Sequence, residues 1–108
     1  MGEFVSKNLA SGKATNVKTT IYTVPAGRSA IVRSITLTNT DLVNPVTIEL
    51  TANFGAGSVY CAPKNLTLAA KYFFEHDISI TMGSGNMLEI SASPTNVVDY
   101  IVSGVEEV

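Results

Sequence analysis

The chain has 108 residues, of which 45% are hydrophobic and 15% are charged, and its formal net charge at pH 7 is −2. This length fits a single domain, and the composition excludes a disordered chain as well as a domain that attracts nucleic acid through its overall charge. The chain has one cysteine, Cys61, which excludes an intrachain disulfide and a zinc site made by a cysteine cluster.

Residues 1–18 are expected to form an N-terminal arm, followed by a β-sandwich domain over residues 19–108. The arm mixes small polar residues with Phe4, Val5 and Leu9 and has no sustained periodicity, so we expect one short strand around residues 3–7. The chain opens without a basic segment followed by an apolar run, and no apolar run is long enough to cross a bilayer. We therefore expect production and use on the cytoplasmic side, without a membrane partner.

Residues 19–54 carry the strongest indication of the fold, because β-branched residues alternate there with polar ones between turn-forming segments. Residues 19–24 predict a strand, and Pro25 is expected at the second position of the turn that follows. In the next strand Val32 shares a face with Ile35 only if the register shifts near Arg33. We therefore predict a β-bulge there, which keeps the guanidinium out of the core.

The rest of the chain predicts further strands separated by short turns. Residues 46–54 alternate apolar and polar residues without an exception, so one face of this strand is expected in the core. Further strands are expected at residues 58–62, 71–82, 87–93 and 97–105, and residues 66–70 form either a brief strand or a helical turn. The closing segment is partly apolar on both faces, which is typical of a central strand or of one covered by another subunit.

About eight strands at even spacing predict an all-β fold, an antiparallel β-sandwich of jelly-roll-like type with an extended N-terminal arm. Three adjacent aromatic residues stand out in this pattern. Neighbouring side chains in a strand point to opposite faces, so at least one of these rings is expected to cover an edge or an interface. With the apolar residues of the arm they make up the predicted protein interface: Phe4, Val5, Leu9, Tyr72, Phe73 and Phe74.

Only one segment, Glu75, His76 and Asp77, offers a general acid, a general base or a metal ligand. In a strand His76 points away from the face shared by the two carboxylates, so the three cannot converge locally. Cys61 and His76 could act as nucleophile and base only if the fold brought them together, and a small buried apolar role for Cys61 is preferred. The sequence therefore predicts no enzyme, no catalytic residue, no metal ligand and no cofactor.

Residues 21–39, residues 85–90 (Gly-Asn-Met-Leu-Glu-Ile) and residues 100–106 (Tyr-Ile-Val-Ser-Gly-Val-Glu) resemble small β-sandwich proteins encoded among the structural genes of tailed bacteriophages. The resemblance spans most of residues 19–107. It implies a non-enzymatic virion protein made in the host bacterial cytoplasm, most of all a capsid decoration or cement protein that clamps neighbouring capsid subunits. A tail, baseplate or fibre subunit is the alternative within the virion.

A carbohydrate-binding module is a second alternative, because exposed tyrosine side chains can stack on sugar rings. The chain has four tyrosines but no tryptophan and no cluster of calcium-binding carboxylates, so packing in the core or at an edge is the preferred role of the tyrosines.

For a virion protein, the expected partners are the major capsid protein or other virion proteins. A homo-oligomer is also expected, with a trimer favoured, because small sandwiches gain stability when edge strands are buried in a symmetric cluster. The arm is the expected clasp between subunits, through strand addition to the sheet edge of a neighbour.

Overall fold

The computed structural model describes residues 3–107, which form two antiparallel β-sheets. The strands are β1 (Phe4–Ala14), β2 (Thr19–Thr23), β3 (Ala30–Asn39), β4 (Val46–Asn53), β5 (Ser58–Tyr60), β6 (Leu66–Leu68), β7 (Phe73–Met82), β8 (Met87–Ser93) and β9 (Val98–Glu107). The four-stranded sheet has the order β1-β9-β3-β7, and the five-stranded sheet has the order β2-β8-β4-β5 with β6 also paired to β4. The predicted all-β antiparallel sandwich is confirmed.

The strands pair in a nested pattern. β1 pairs with β9, β2 with β8, β3 with β7, and β4 with both β5 and β6. Pairing of β3 with β9 and of β4 with β8 then completes the two sheets. As a result, the β1–β2, β3–β4, β6–β7 and β8–β9 loops lie at one end of the sandwich, which we call the upper end. The β2–β3, β4–β5 and β7–β8 loops lie at the other, lower end.

The core consists of alternate residues from the facing strands of the two sheets. Val46, Ile48, Leu50 and Ala52 of β4 are all fully buried, as the alternation predicts. Phe54 departs from this prediction, because β4 ends at Asn53 and the ring, 43% exposed, lies beyond the strand.

The predicted bulge in β3 is confirmed. The register of β3 shifts between Val32 and Ser34 against both of its neighbours. Val32, Ile35 and Leu37 are consequently all buried on one face, while Arg33 is exposed. The preceding turn differs in one detail: Pro25 is its first residue and not its second, because the backbone N–H of Arg28 donates to the carbonyl of Pro25 at 3.1 Å.

Residues 4–14 form the full edge strand β1, which pairs with β9 from Phe4 opposite Glu107 to Ala14 opposite Val98. This strand is longer than the segment that the sequence indicates, because β9 supplies pairing partners along its whole length. The division into an arm of residues 1–18 and a sandwich of residues 19–108 stays a prediction. Residues 1, 2 and 108, which belong to these two units, lie outside the described residues.

Candidate interaction surface

Two adjacent loops at the upper end of the sandwich carry four exposed apolar side chains. Leu42 and Val43 of the β3–β4 loop are 72% and 80% exposed, and Tyr72 and Phe73 at the start of β7 are each 66% exposed. We call these four residues the apolar tip. Single exposed apolar residues are ordinary on a protein surface, but a cluster of large ones is typical of a binding site.

One buried side chain ties the two loops of the apolar tip together. Asn39, the last residue of β3, is fully buried, and its Nδ2 donates to the backbone carbonyls of Asn44, Leu68 and Ala69 at 3.0, 3.2 and 3.2 Å. The backbone N–H of Asn39 donates to the carbonyl of Tyr72 at 2.9 Å. A single amide therefore fixes both loops relative to each other.

Asp41 fixes the β3–β4 loop from within. Its Oδ1 accepts hydrogen bonds from the backbone N–H groups of Val43 and Asn44, both at 2.9 Å. These two hydrogen bonds hold the pKa of Asp41 below its ordinary value, and the bond from Asn44 has the larger effect. The carbonyl of Asp41 also accepts from the backbone N–H of Lys71 at 3.1 Å, which joins this loop to the β6–β7 loop. The apolar tip therefore rests on a backbone that is already ordered.

The predicted interface residues of the aromatic segment lie at this upper end. Tyr72 and Phe73 belong to the apolar tip. Phe74 is half-buried against the core, and its ring centroid is 5.5 Å from that of His76. Phe73 is thus the ring that points away from the core. The sequence missed Leu42 and Val43, although two apolar residues inside a turn-forming segment are themselves a signal for an exposed contact.

The predicted interface residues of β1 are placed elsewhere. Phe4 and Val5 lie at the lower end and are 50% and 39% exposed, while Leu9 is half-buried against the core. The structure therefore does not bring the two predicted groups together. That any of these residues contacts a partner stays a prediction.

The candidate reactive side chains lie on two segments, with Glu75, His76 and Asp77 on β7 and Cys61 directly after β5. Glu75 and Asp77 point to the outer face of β7, and His76 points inward at the level of Ile35, as the alternation predicts. Cys61 is half-buried, and burial raises the pKa of its thiol to about 11, with a further contribution from Glu89. Among residues 3–107 no group of three or more His, Cys, Asp or Glu side chains could hold a metal ion.

The four tyrosines do not form a common surface. Tyr22 is buried, and Tyr100 is half-buried and packs against the core. Tyr60 and Tyr72 are exposed, but Tyr60 lies on β5 near the lower end and Tyr72 lies at the upper end. A sugar ring cannot stack on two of these side chains at once.

A buried carboxylate links the two sheets at their β1–β2 side. Glu106 on β9 accepts a hydrogen bond from the hydroxyl of Tyr22 on β2 at 2.5 Å and forms an ion pair with Lys7 on β1 at 3.1 Å. The bond from Tyr22, followed by the contact with Lys7, lowers the pKa of Glu106 despite its burial. Each member of this group has a partner, and the arrangement ties β1, β2 and β9 together.

A second buried carboxylate, Glu89, lies on the outer face of the five-stranded sheet. It accepts hydrogen bonds from the hydroxyls of Ser58 and Thr51 at 2.7 and 3.0 Å and forms an ion pair with Lys18 at 3.6 Å. These contacts, with Ser58 first, lower the pKa of Glu89. This carboxylate is likewise satisfied and holds the β1–β2 loop and β5 against the sheet.

Residues 3–107 contain no helix with the length and apolar character needed to cross a membrane.

Comparison with known proteins places the fold beside viral capsid proteins. No protein-family model and no curated protein sequence matches the chain. A chain in the acid-stable capsid of Helicobacter pylori bacteriophage KHP30 matches with a TM-score of 0.52 and 19% sequence identity, over 100% of this chain and 94% of that chain.

Two further solved structures are similar at a lower level. A pentameric capsid protein from metagenomic phage sequences matches with a TM-score of 0.47 and 14% identity, over 93% of this chain and 62% of that chain. The chain thus spans about three fifths of that protein's length. A chain of infectious bursal disease virus, Gx strain, matches with a TM-score of 0.44 and 13% identity, over 99% of this chain and 31% of that chain. The structural neighbours include phage capsid proteins, and the chain shares its fold with a KHP30 capsid chain of nearly its own length.

Proposed function

We propose that this protein is a non-enzymatic structural component of a bacteriophage virion, a decoration or cement protein that clamps neighbouring subunits of the capsid. The observation that carries this proposal is the apolar tip, in which Leu42, Val43, Tyr72 and Phe73 are exposed together on an ordered backbone. The proposed partner is the major capsid protein, and the proposed location is the outer surface of the virion.

The apolar tip is suited to binding another protein surface. Removal of apolar surface from water stabilises a complex by about 25 cal/mol per Å². The usual opposing cost of ordering a loop is small here, because Asn39 and Asp41 already fix both loops. A partner surface of similar apolar character is therefore recognised without a conformational change.

The fold and size of the chain also support the proposal. The nested strand pairing is the one that results when a single antiparallel ribbon is wrapped into two sheets, and we therefore assign the sandwich to the jelly-roll type, which is common in capsid proteins. The similar KHP30 chain belongs to a capsid and is nearly as short as this one. A small protein that binds the assembled shell and not its dispersed subunits stabilises the shell by mass action.

Binding to capsids that were assembled without the protein tests this proposal. The substitutions Val43→Ser and Phe73→Ser are expected to weaken co-sedimentation with such capsids by about tenfold or more, as for central apolar contacts in other interfaces. Ile101→Ser is the matched control, because Ile101 is also exposed, at 49%, but lies on the outer face of the four-stranded sheet. Wild-type binding by both tip variants overturns the proposed role of the apolar tip.

The number of copies per particle separates the proposed role from a tail role. A capsid decoration protein is expected in on the order of hundreds of copies per particle. A baseplate or fibre subunit follows the low symmetry of the tail and is expected in about a dozen copies or fewer. Quantitative mass spectrometry of purified particles measures this number directly. A count of about a dozen favours the tail alternative.

A further inference from the structure

The four-stranded sheet has two unpaired edges of matching length and opposite direction. β1 has 11 residues and β7 has 10, and they form the two outer strands of the order β1-β9-β3-β7. Three antiparallel pairings separate them, so β1 and β7 run in opposite directions. In copies related by rotation about an axis along the strands, β1 of one copy therefore meets β7 of the next copy as an antiparallel neighbour.

The charges of the two edges are complementary. Lys13 lies on the outer face of β1, where its only ion pair within residues 3–107 is an exposed one with Asp99 at 2.6 Å. Glu75 and Asp77 lie on the outer face of β7 and form no ion pair in the described part of the chain. Pairing of β1 with β7 brings this lysine close to these carboxylates, so the two edges attract each other through opposite charges.

The sides of the sandwich next to these edges are both apolar. Beside β7, a groove with a volume of about 380 Å³ opens towards β5, and it is lined mainly by Phe54, Val59, Tyr60, Cys61, Ile78 and Ile80. Beside β1, on the opposite side, Phe4 and Val5 are exposed and Leu9 and Ile21 are half-buried. Contact between the two sides buries apolar surface on both partners, in addition to the backbone hydrogen bonds of the paired edges.

We infer that the β7 edge and its groove bind the β1 edge of a second copy of this chain, and that repetition of this contact closes a ring. The inference rests on the homo-oligomer expected for a small virion sandwich, and it identifies the surfaces involved. If the two copies are not displaced along the strand direction, Ser11 of one copy faces Glu75 of the next. The reason is that the pairing within each sheet places Ser11 and Glu75 in the same row across the strands as Thr36. Lys13 then lies diagonally beside Glu75 on the same face.

A cross-linking experiment tests this contact and its register. The double variant Ser11→Cys with Glu75→Cys, prepared with Cys61→Ala, is expected to form a ladder of disulfide-linked chains on a non-reducing denaturing gel. Within one chain these positions lie at opposite edges of the sheet, about 14 Å apart for three inter-strand spacings, which is beyond the reach of a disulfide. Lys13→Cys with Glu75→Cys tests the register shifted by two residues.

The two single-cysteine variants are the controls. Each of them can form at most a disulfide-linked dimer. The inference is overturned, in favour of β1 pairing with itself, if Ser11→Cys alone gives a strong dimer band and neither double variant gives a ladder. A purified wild-type protein that stays monomeric up to millimolar concentration also overturns it.

Charge reversal gives an independent test by sedimentation velocity. Lys13→Glu, and separately Glu75→Lys with Asp77→Lys, are each expected to weaken self-association by about threefold or more. The triple variant, and an equal mixture of the two reversed proteins, restore it. Self-association that strengthens in Lys13→Glu contradicts the inference.

The tests of the ring and of the proposed function are independent. The self-association measurements contain no capsid, so a negative result leaves the proposed function intact. Wild-type capsid binding by the tip variants, in turn, leaves the ring intact.

Discussion

At the scale of single residues, the least replaceable side chains are polar groups that are buried and fully satisfied. Asn39 and Glu106 each join segments that are distant in the sequence, and neither belongs to a recognisable motif. The sequence could not reveal their roles, because a lone asparagine at a strand end and a glutamate near the end of the chain are ordinary surface residues in most proteins.

Asn39→Ala is expected to destabilise the protein by about 2 kcal/mol, because the buried carbonyl of Leu68 and two partly buried carbonyls lose this donor. Urea unfolding measures this loss. Amide hydrogen exchange is expected to accelerate in residues 40–45 and 69–72, the two loops that Asn39 joins. Asn16→Ala, a change at an exposed asparagine, is the control and is expected to leave the unfolding free energy unchanged. Equal stability of the two variants contradicts the role assigned to Asn39.

The buried carboxylate of Glu106 predicts a loss of stability in acid. Its pKa in the folded protein is below the ordinary value of 4.5, so the ionised group stabilises the fold above that value. This contribution is lost as the pH falls from about 4.5 through the lower pKa of the folded state. In Glu106→Gln the free energy of unfolding, measured by urea unfolding at each pH, is therefore expected to fall less steeply between pH 7 and pH 3. Glu3→Gln, which removes an exposed carboxylate, is the matched control.

At the scale of elements, the close approach of β3 and β9 depends on one glycine. A Cβ at Gly104 would lie 2.1 Å from the carbonyl oxygen of Ile31 and 3.1 Å from Cδ1 of Leu9. The backbone of β3 cannot give way without loss of its pairing with β9, and Leu9 of β1 closes the remaining space. Three neighbouring strands therefore meet where no side chain fits.

Gly104→Ala is expected to destabilise the protein by about 3 kcal/mol, at the upper end of the effect of overpacking, because backbone must move. The thermal unfolding midpoint and the yield of soluble protein measure this effect. Ser103→Ala, at the adjacent residue on the outer face, is expected to be nearly neutral. A stable Gly104→Ala protein would show that β3 and β9 can separate at low cost.

The sequence anticipates some elements well and others poorly, for physical reasons. The bulge near Arg33 follows from the local pattern alone, because only a register shift can bury Val32 with Ile35. The length of β1 does not follow from the local pattern, because residues 4–14 become a strand through pairing with residues about 90 positions away. Only half of the apolar tip is predictable from the sequence. The adjacent rings of Tyr72 and Phe73 indicate an exposed aromatic side chain, but the position of Leu42 beside them depends on long-range contacts through Asn39.

At the scale of the whole molecule, the class of the fold is predictable because apolar and polar residues alternate in nearly every strand. The order of the strands in the sheets is not predictable. The nested pairing joins strands from opposite ends of the chain, and no local signal specifies which strand is the partner of which. The status of residues 1–18 as a separable arm depends on this same long-range pairing.

Deletion of residues 1–14 tests whether the arm is separable. Because β1 covers one edge of β9 and supplies Lys7 to Glu106, the truncated protein is expected to unfold at a markedly lower temperature or to aggregate through the exposed edge of β9. A deletion that ends at Glu3 leaves β1 intact and is the control. An unchanged unfolding midpoint after the longer deletion would establish residues 1–18 as a separable arm.

The half-buried thiol of Cys61 affects how the protein can be handled. With a pKa of about 11, only about one molecule in ten thousand carries the reactive thiolate at pH 7. Preparations kept in air without reductant should therefore remain free of accidental covalent dimers. Maleimide or Ellman's reagent should react slowly, and the rate should rise about tenfold with each pH unit up to about pH 11.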